Sequence, residues 1–402
     1  MVKLSSRERI LRTVAGKPVD HVPIFAPIPW NPLTPEPART DWKAHSNYRC
    51  LVDLAKQHCD FFAQLEVPER TPFRNLKQGY GMQGIPEGIF DRRFFLVPPD
   101  CVEVCGEEIR DGTRFIRYQV HTPRGVLTTT DAVRTGEDTV WEFEPLIKDV
   151  DDAKKLIALP HRFDPPDLSA YFSQREQLGD RGVAVCFVSS PVVMVSRLTG
   201  FQKFLEWTIT ERALLDRMFG TIQERIAERL QFVLDRGAGP VFRFGGSEQA
   251  TPPMMSAHGF DRFVLGCEQP LWQRVRSAGQ IVWVHCHGKV GTVIEKFRDG
   301  GAQLLDPVEP PPQGDIEIAE AKVSARSGPL TLIGNIEFSA LQSDTPEQIV
   351  TQVRHAIHDG GAQHLILGSS AEAISVVNDR LRDNIVHFIE AGIEYGNWVE
   401  RG

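Results

Sequence analysis

Two histidines, His285 and His287, close the short run Ile281-Val282-Trp283-Val284-His285-Cys286-His287 and are followed by Gly288. Alternate side chains of an extended strand share a face, so both imidazoles are expected to point the same way where the chain leaves a sheet. Such a pair binds a metal ion through neutral nitrogens or exchanges protons near neutral pH. Glu248, just beyond the apolar run Val241-Phe242-Arg243-Phe244, offers a carboxylate to complete either arrangement. Two histidines and one carboxylate suit zinc, and also non-haem iron or another first-row ion. A lone His-x-His is otherwise a structural or exposed pair, so the elements that position it decide its meaning.

Those elements follow a β/α rhythm. Short apolar runs at Val22 to Ala26, Asp60 to Leu65, Val183 to Val188, Val241 to Phe244, Ile281 to His285, Gln303 to Asp306, Leu330 to Ile333 and His364 to Leu367 give eight candidate strands. In the second half each is parted from the next by about one helix plus turns. The stretch Asp299-Gly300-Gly301-Ala302-Gln303 recurs as Asp359-Gly360-Gly361-Ala362-Gln363, as expected where glycine ends a helix and feeds a strand. Thr345-Pro346-Glu347-Gln348 predicts a capped helix start, Ser5 to Val14 a capped helix, and Ser256 and Asp315 two further N-caps. The α/β pattern predicts one (β/α)8 TIM barrel spanning residues 1–402. Within it, three segments between residues 101 and 133 (Val102 to Ile109, Thr113 to Thr122, Val126 to Thr130) form a β-meander insertion.

Barrel chemistry gathers at the C-terminal ends of the strands. There the sequence places Glu248, the histidine pair, Asp306 with Glu309, Asn335 with Glu337, and Ser369-Ser370 with Glu372. Parallel strands bring these clusters to one mouth, which says more than any single member. Taken singly, Asp306 has the plainer role of capping or orienting, Glu309 of a solvated residue in a proline-rich loop, and Asn335 of a turn former.

Composition narrows the partners. The 402 residues are 41% hydrophobic and 24% charged, with a formal net charge of −8, so nothing marks a nucleic-acid or membrane surface and a small molecule is the expected partner. The start of the chain has no apolar leader and no segment approaches a membrane span, so a cytoplasmic protein is expected. Seven scattered cysteines without a C-x-x-C pair do not read as a disulfide framework or a zinc knuckle.

Several of these residues together resemble a family. Arg7-Glu8-Arg9, Gly16-Lys17-Pro18-Val19-Asp20-His21-Val22-Pro23, the strand ending in His-x-His-Gly, Gly314-Asp315, Gly334-Asn335-Ile336 and Thr345-Pro346-Glu347 look like the uroporphyrinogen decarboxylase superfamily, and within it the corrinoid-linked methyltransferase branch. The resemblance covers most of the chain and implies the same barrel. It also implies a zinc ion, held by a His-x-Cys pair and a later cysteine, that activates a thiol for methylation. Here His285 matches the family histidine, His287 stands in place of the cysteine, and Ser369, Ser370 and Ala371 occupy the region of the later one. Losing two thiolates makes a bound ion a stronger Lewis acid and a poorer activator of thiols. The resemblance therefore implies methyl transfer to or from a small heteroatom-methylated compound. A corrinoid (cobalamin) would sit on a partner protein docked over the mouth, and the resemblance leans toward a homodimer. The expected ligands are His285, His287 and Glu248, with Glu248, Glu309 and Asn335 as catalytic or orienting groups. Trp30, Met254, Asp306, Glu337 and Ser370 are expected to line the substrate. The runner-up is a metal-independent decarboxylase of a small or tetrapyrrole acid, although the loop from Ala26 to Leu33 lacks that branch's arginine motif. A non-enzymatic corrinoid- or metal-handling subunit is the third reading, and the clustered acid and base groups argue against it.

Overall fold

The computed structural model describes residues 3–33, 42–65, 97–134 and 140–397. Its strands are β1 (Phe62–Gln64), β2 (Val102–Arg110), β3 (Thr113–Thr122), β4 (Gly125–Arg134), β5 (Val140–Glu144), β6 (Val183–Ser189), β7 (Val241–Gly245), β8 (Ile281–His285), β9 (Leu304–Val308), β10 (Thr331–Ile336) and β11 (Leu365–Ser369). Seven of them form a curled parallel sheet in the order β1-β6-β7-β8-β9-β10-β11, with helices in the connections. All seven coincide, within a few residues, with runs expected from the sequence. The eighth expected strand, Val22 to Ala26, is not continuous. Its residues make two isolated parallel bridges instead, Ile24 to Leu367 of β11 and Phe25 to Asp60 just before β1. Pro23 precedes them and has no N–H to donate to a ladder.

The inner face of the curled sheet is a small apolar layer of its own. Phe62, Val183, Val185, Val241, Trp283, Leu304, Ile333 and Ile366 are all buried there, joined by Ile10 and Val14 from the helix Ser6–Val14. Burying side chains of this size is worth about 1.5–3 kcal/mol each relative to exposure. Arg9 on the same helix is buried between two carboxylates, Asp20 and Asp60, at 2.7 Å from each. Asp60 also accepts from the Ile24 backbone N–H, so one buried cation ties the N-terminal helix to the bridging segment and to the approach to β1.

Register carries this inner face up to the mouth. Arg243 lies opposite Trp283, Gly245 opposite His285, and His285 opposite Asp306, so period-two alternation points Arg243, Trp283, His285 and Asp306 inward together. The predicted glycine stops are in place, with Gly301 and Gly361 at positive φ after their helices. The Thr345 capping box forms as expected, Thr345 and Gln348 each accepting the other's backbone N–H. Ser256 caps as expected, its side chain accepting the Gly259 N–H at the start of a helical run that continues through Asp261–Leu265 into Gly266–Ser277. Asp315 is not an N-cap: the next helix begins at Ile318, and Asp315 instead accepts the Gly291 N–H at 2.8 Å.

The insertion is a separate antiparallel sheet of four strands, β2-β3-β4-β5, rather than three. The added strand, β5, alternates apolar and acidic residues from Trp141 to Glu144. No helix among the described residues is long and apolar enough to cross a membrane.

Candidate active site

Each site histidine is held by its own carboxylate. His285 Nδ1 lies 2.8 Å from Asp306 Oδ2, and His287 Nδ1 lies 2.9 Å from Glu309 Oε1. Ionised carboxylates only accept, so both Nδ1 atoms carry hydrogen and donate. The two rings stand edge to face with centroids 4.7 Å apart, and neither Nε2 has a hydrogen-bond partner among the described residues.

The holders are themselves fixed. Asp306 is buried and accepts from Trp283 Nε1, from Arg243 at 3.1 Å and from His285, while the Arg243 guanidinium lies over the Trp283 ring at 4.7 Å. Burial would raise the Asp306 carboxyl, but the charges of Arg243 and His285 outweigh it and hold it well below the usual carboxylate range. Glu309, also buried, takes a second hydrogen bond from the Gly288 backbone N–H, so the glycine after the His-x-His motif helps seat the carboxylate that holds His287.

Electrostatics sets the two rings apart. Burial and the nearby Arg243 charge lower the pKa of His285 despite Asp306, which favours a neutral ring with a lone pair on Nε2. Burial opposes charge on His287 too, but the hydrogen bond and charge of Glu309 outweigh it and raise its pKa, favouring a cation with an Nε2–H to give. Neighbouring titratable groups driven in opposite directions are the signature of divided acid and base roles.

The expected three-ligand metal set is not assembled. Among the described residues no group of three His, Cys, Asp or Glu side chains converges on one point. Glu248 sits in the turn Ser247–Ala250, half-buried, with Oε2 buried and lacking a hydrogen-bond partner. Gly246 makes that turn possible: its φ is +109°, and a Cβ there would lie 2.4 Å from Val193 Cβ. Gly246→Ala is therefore expected to cost about 1–3 kcal/mol, read as a lower urea midpoint at unchanged slope.

Other expected residues take different parts. Ser370 Oγ donates to Glu337 Oε2 at 2.9 Å and accepts from the Phe338 N–H at 3.0 Å, so it ties together the ends of β10 and β11. Glu337 keeps its other oxygen buried without a partner; burial pushes its carboxyl up, with Ser370 and His287 opposing and Glu309 adding to the rise. Asn335 and Glu337 line a cleft of about 420 Å³ beside the Pro310-Pro311-Pro312 loop. Trp30 is buried against Phe61 at 4.8 Å, whereas Met254 is 53% exposed and Met255 packs partly against the core. Glu372, half-buried in the loop after β11, is pushed up to about 7 by burial, with Arg243 opposing and Asp306 adding.

Sequence reasoning missed Arg243 and Trp283 as parts of the site. The signal was present: an arginine inside an apolar strand, at the inward parity of its neighbours, needs a buried partner.

A family model described as uroporphyrinogen decarboxylase (URO-D) matches residues 132–395, well over half of the sequence. The chain belongs to the uroporphyrinogen decarboxylase family. Both histidines, their carboxylates, Glu248 and Arg243 fall inside the URO-D match, whereas Trp30, Phe62 and most of the antiparallel sheet lie before it. Among solved structures, a methyltransferase from Methanosarcina mazei is similar over 98% of this chain and 99% of its own, at 16% identity and a TM-score of 0.57. A B12-independent methionine synthase from Shewanella sp. W3-18-1 aligns over 75% of this chain and 79% of its own, at 13% identity and a TM-score of 0.38. At such identities the Methanosarcina protein speaks for the shared URO-D fold alone. No curated protein matches the sequence.

Proposed function

We propose that this URO-D family member is a methyl-transferring enzyme acting on a small heteroatom-methylated compound, with His287 as proton donor and His285 as hydrogen-bond acceptor. One observation supports the reading: two imidazoles stand edge to face, each with Nδ1 held by its own carboxylate and Nε2 left without a hydrogen-bond partner among the described residues. In demethylation the methyl carbon passes to an incoming nucleophile and the bonding pair stays on the substrate heteroatom. A cationic His287 supplies the proton that this heteroatom takes up, and the lone pair of His285 accepts a hydrogen bond from a donor group of the substrate. We also infer that Ile24 and Phe25 act as the eighth stave of a closed barrel, a reading supported by their bridges to β11 and to Asp60, two residues before β1. The sequence resemblance makes a corrinoid on a partner protein the expected methyl carrier.

A metal-assisted version of the transfer has one observation in its favour. Imidazoles that donate Nδ1–H to carboxylates have the orientation that metal-binding histidines take from the groups behind them. Metal analysis separates the versions: a stoichiometric first-row ion lost on His285→Ala would favour it over proton transfer alone. The function itself is tested by incubating the full chain with methoxyl, N-methyl and S-methyl compounds plus free or methylated cobalamin, following cobalt absorbance and carbon dioxide. Methyl transfer that disappears in His287→Ala is expected. Carbon dioxide release with unchanged cobalamin would overturn the proposal in favour of decarboxylation.

A further inference from the structure

We propose that Glu268 is a positioning residue of this site, fixing through Ser190 and Ser247 the loops that carry Glu248 and back the His285–His287 segment. The inference rests on the site assignment above, and Glu268 lies outside every motif that pointed to it. It belongs to the helix Gly266–Ser277 and is wholly buried. Its Oε1 accepts from Ser190 Oγ at 2.5 Å and from Ser247 Oγ at 3.0 Å.

Those two serines leave the ends of adjacent strands. Ser190 follows β6, donates its backbone N–H to the Gly245 carbonyl of β7 at 2.9 Å, and accepts from the Val192 N–H at 3.2 Å to cap the helix Pro191–Thr199. Ser247 opens the turn that bears Glu248, and its carbonyl accepts from Thr251 Oγ1 at 2.9 Å. Thr251 Oγ1 in turn accepts from the Sγ of Cys286, the residue between the two histidines, at 3.4 Å. A continuous chain of contacts thus runs from Glu268 through Ser247 and Thr251 to Cys286, with Ser190 as a side branch to β6 and β7.

Two buried carboxyl oxygens, Glu268 Oε2 and Glu248 Oε2, have no hydrogen-bond partner among the described residues. The groups whose charge Glu268 meets are Glu248, Cys267 and Cys286, and none is a cation. Burial, opposed by the two serines and by the nearby Trp272 N–H and reinforced by Glu248, pushes its carboxyl up to about 7. A neutral carboxylic acid can hold both loops without placing a bare charge beside Glu248.

The test compares Glu268→Gln, which keeps an acceptor oxygen and cannot ionise, with Glu268→Leu, which keeps volume but no acceptor. Ser190→Ala/Ser247→Ala removes the same two hydrogen bonds while leaving the buried acid, and covers the case in which Glu268→Leu does not fold. Glu268→Leu and the serine pair are expected to lower kcat about 10- to 100-fold with little change in KM, and Glu268→Gln to restore most of it. NMR signals of the His285 and His287 rings, assigned with single His→Gln variants, should shift in Glu268→Leu and in the serine pair and stay near wild type in Glu268→Gln. Ring signals that do not move in any folded variant would overturn the positioning role. Ring signals that move in a chain that transfers no methyl group would uphold it and count against the proposed reaction instead.

Discussion

Asp306→Ala is expected to lower the stability of the protein by about 3–5 kcal/mol, because it breaks the buried ion pair between Asp306 and the Arg243 guanidinium. Urea unfolding should show this as a fall in midpoint. Activity should fall further than folding alone explains, since His285 loses the acceptor that fixes its tautomer and Trp283 loses its N–H partner in the same step. The two effects can be parted. Replacing a whole buried ion pair by apolar side chains is often neutral for stability, so Arg243→Met/Asp306→Leu should recover much of the midpoint and none of the turnover. If the double variant recovers both, the cluster is only packing. The sign with pH is fixed as well: the Asp306 carboxyl is held below its ordinary range, so its contribution is complete above the ordinary aspartate pKa and is lost as pH falls through the depressed value.

The same cluster shows what the sequence could and could not reveal. His285 and His287 were legible because period-two alternation and a strand end are local properties, and the parallel sheet then placed Asp306 and Glu309 on the neighbouring strand end. The pairing of each histidine with one particular carboxylate was not legible. It depends on the register between β8 and β9 and on Gly314, where a Cβ would meet the Glu309 carbonyl at 1.8 Å. Glu248 was expected to join the histidines as a ligand and instead turns an oxygen into a buried, unpartnered position, because Gly246 reverses the chain over Val193. Val22 to Ala26 carried a strand's composition yet makes only two bridges, and β5 lies beyond the three segments expected to form the insertion. Composition reports what a segment can form, whereas neighbours far along the chain decide how much of it does.

Removing the other ring has the largest catalytic effect expected here. His287→Ala should lower kcat/KM about 10²- to 10⁴-fold, the usual range for loss of a positioned proton donor. The fold should persist, because His287 is among the more exposed members of the cluster. The wild-type pH profile should have two limbs. Activity falls in acid as His285 takes up a proton and loses the lone pair that accepts from substrate, and falls in base as His287 loses the proton it donates. Glu309→Gln is expected to keep an acceptor for the Gly288 N–H but to remove the charge that favours the His287 cation, so the basic limb alone should move to lower pH. Arg243→Gln should act on the opposite limb: without the nearby guanidinium His285 protonates more readily, and the acid limb should move to higher pH. The stability linked to the His287–Glu309 pair is complete below the ordinary histidine pKa and is lost as pH rises through the raised value, so unfolding curves measured across neutral pH supply an independent check on the same ring. A basic limb that stays in place in Glu309→Gln would mean that His287 is not the group that gives up the proton, and the donor role would pass to another acid at the mouth, with Glu372 first in line.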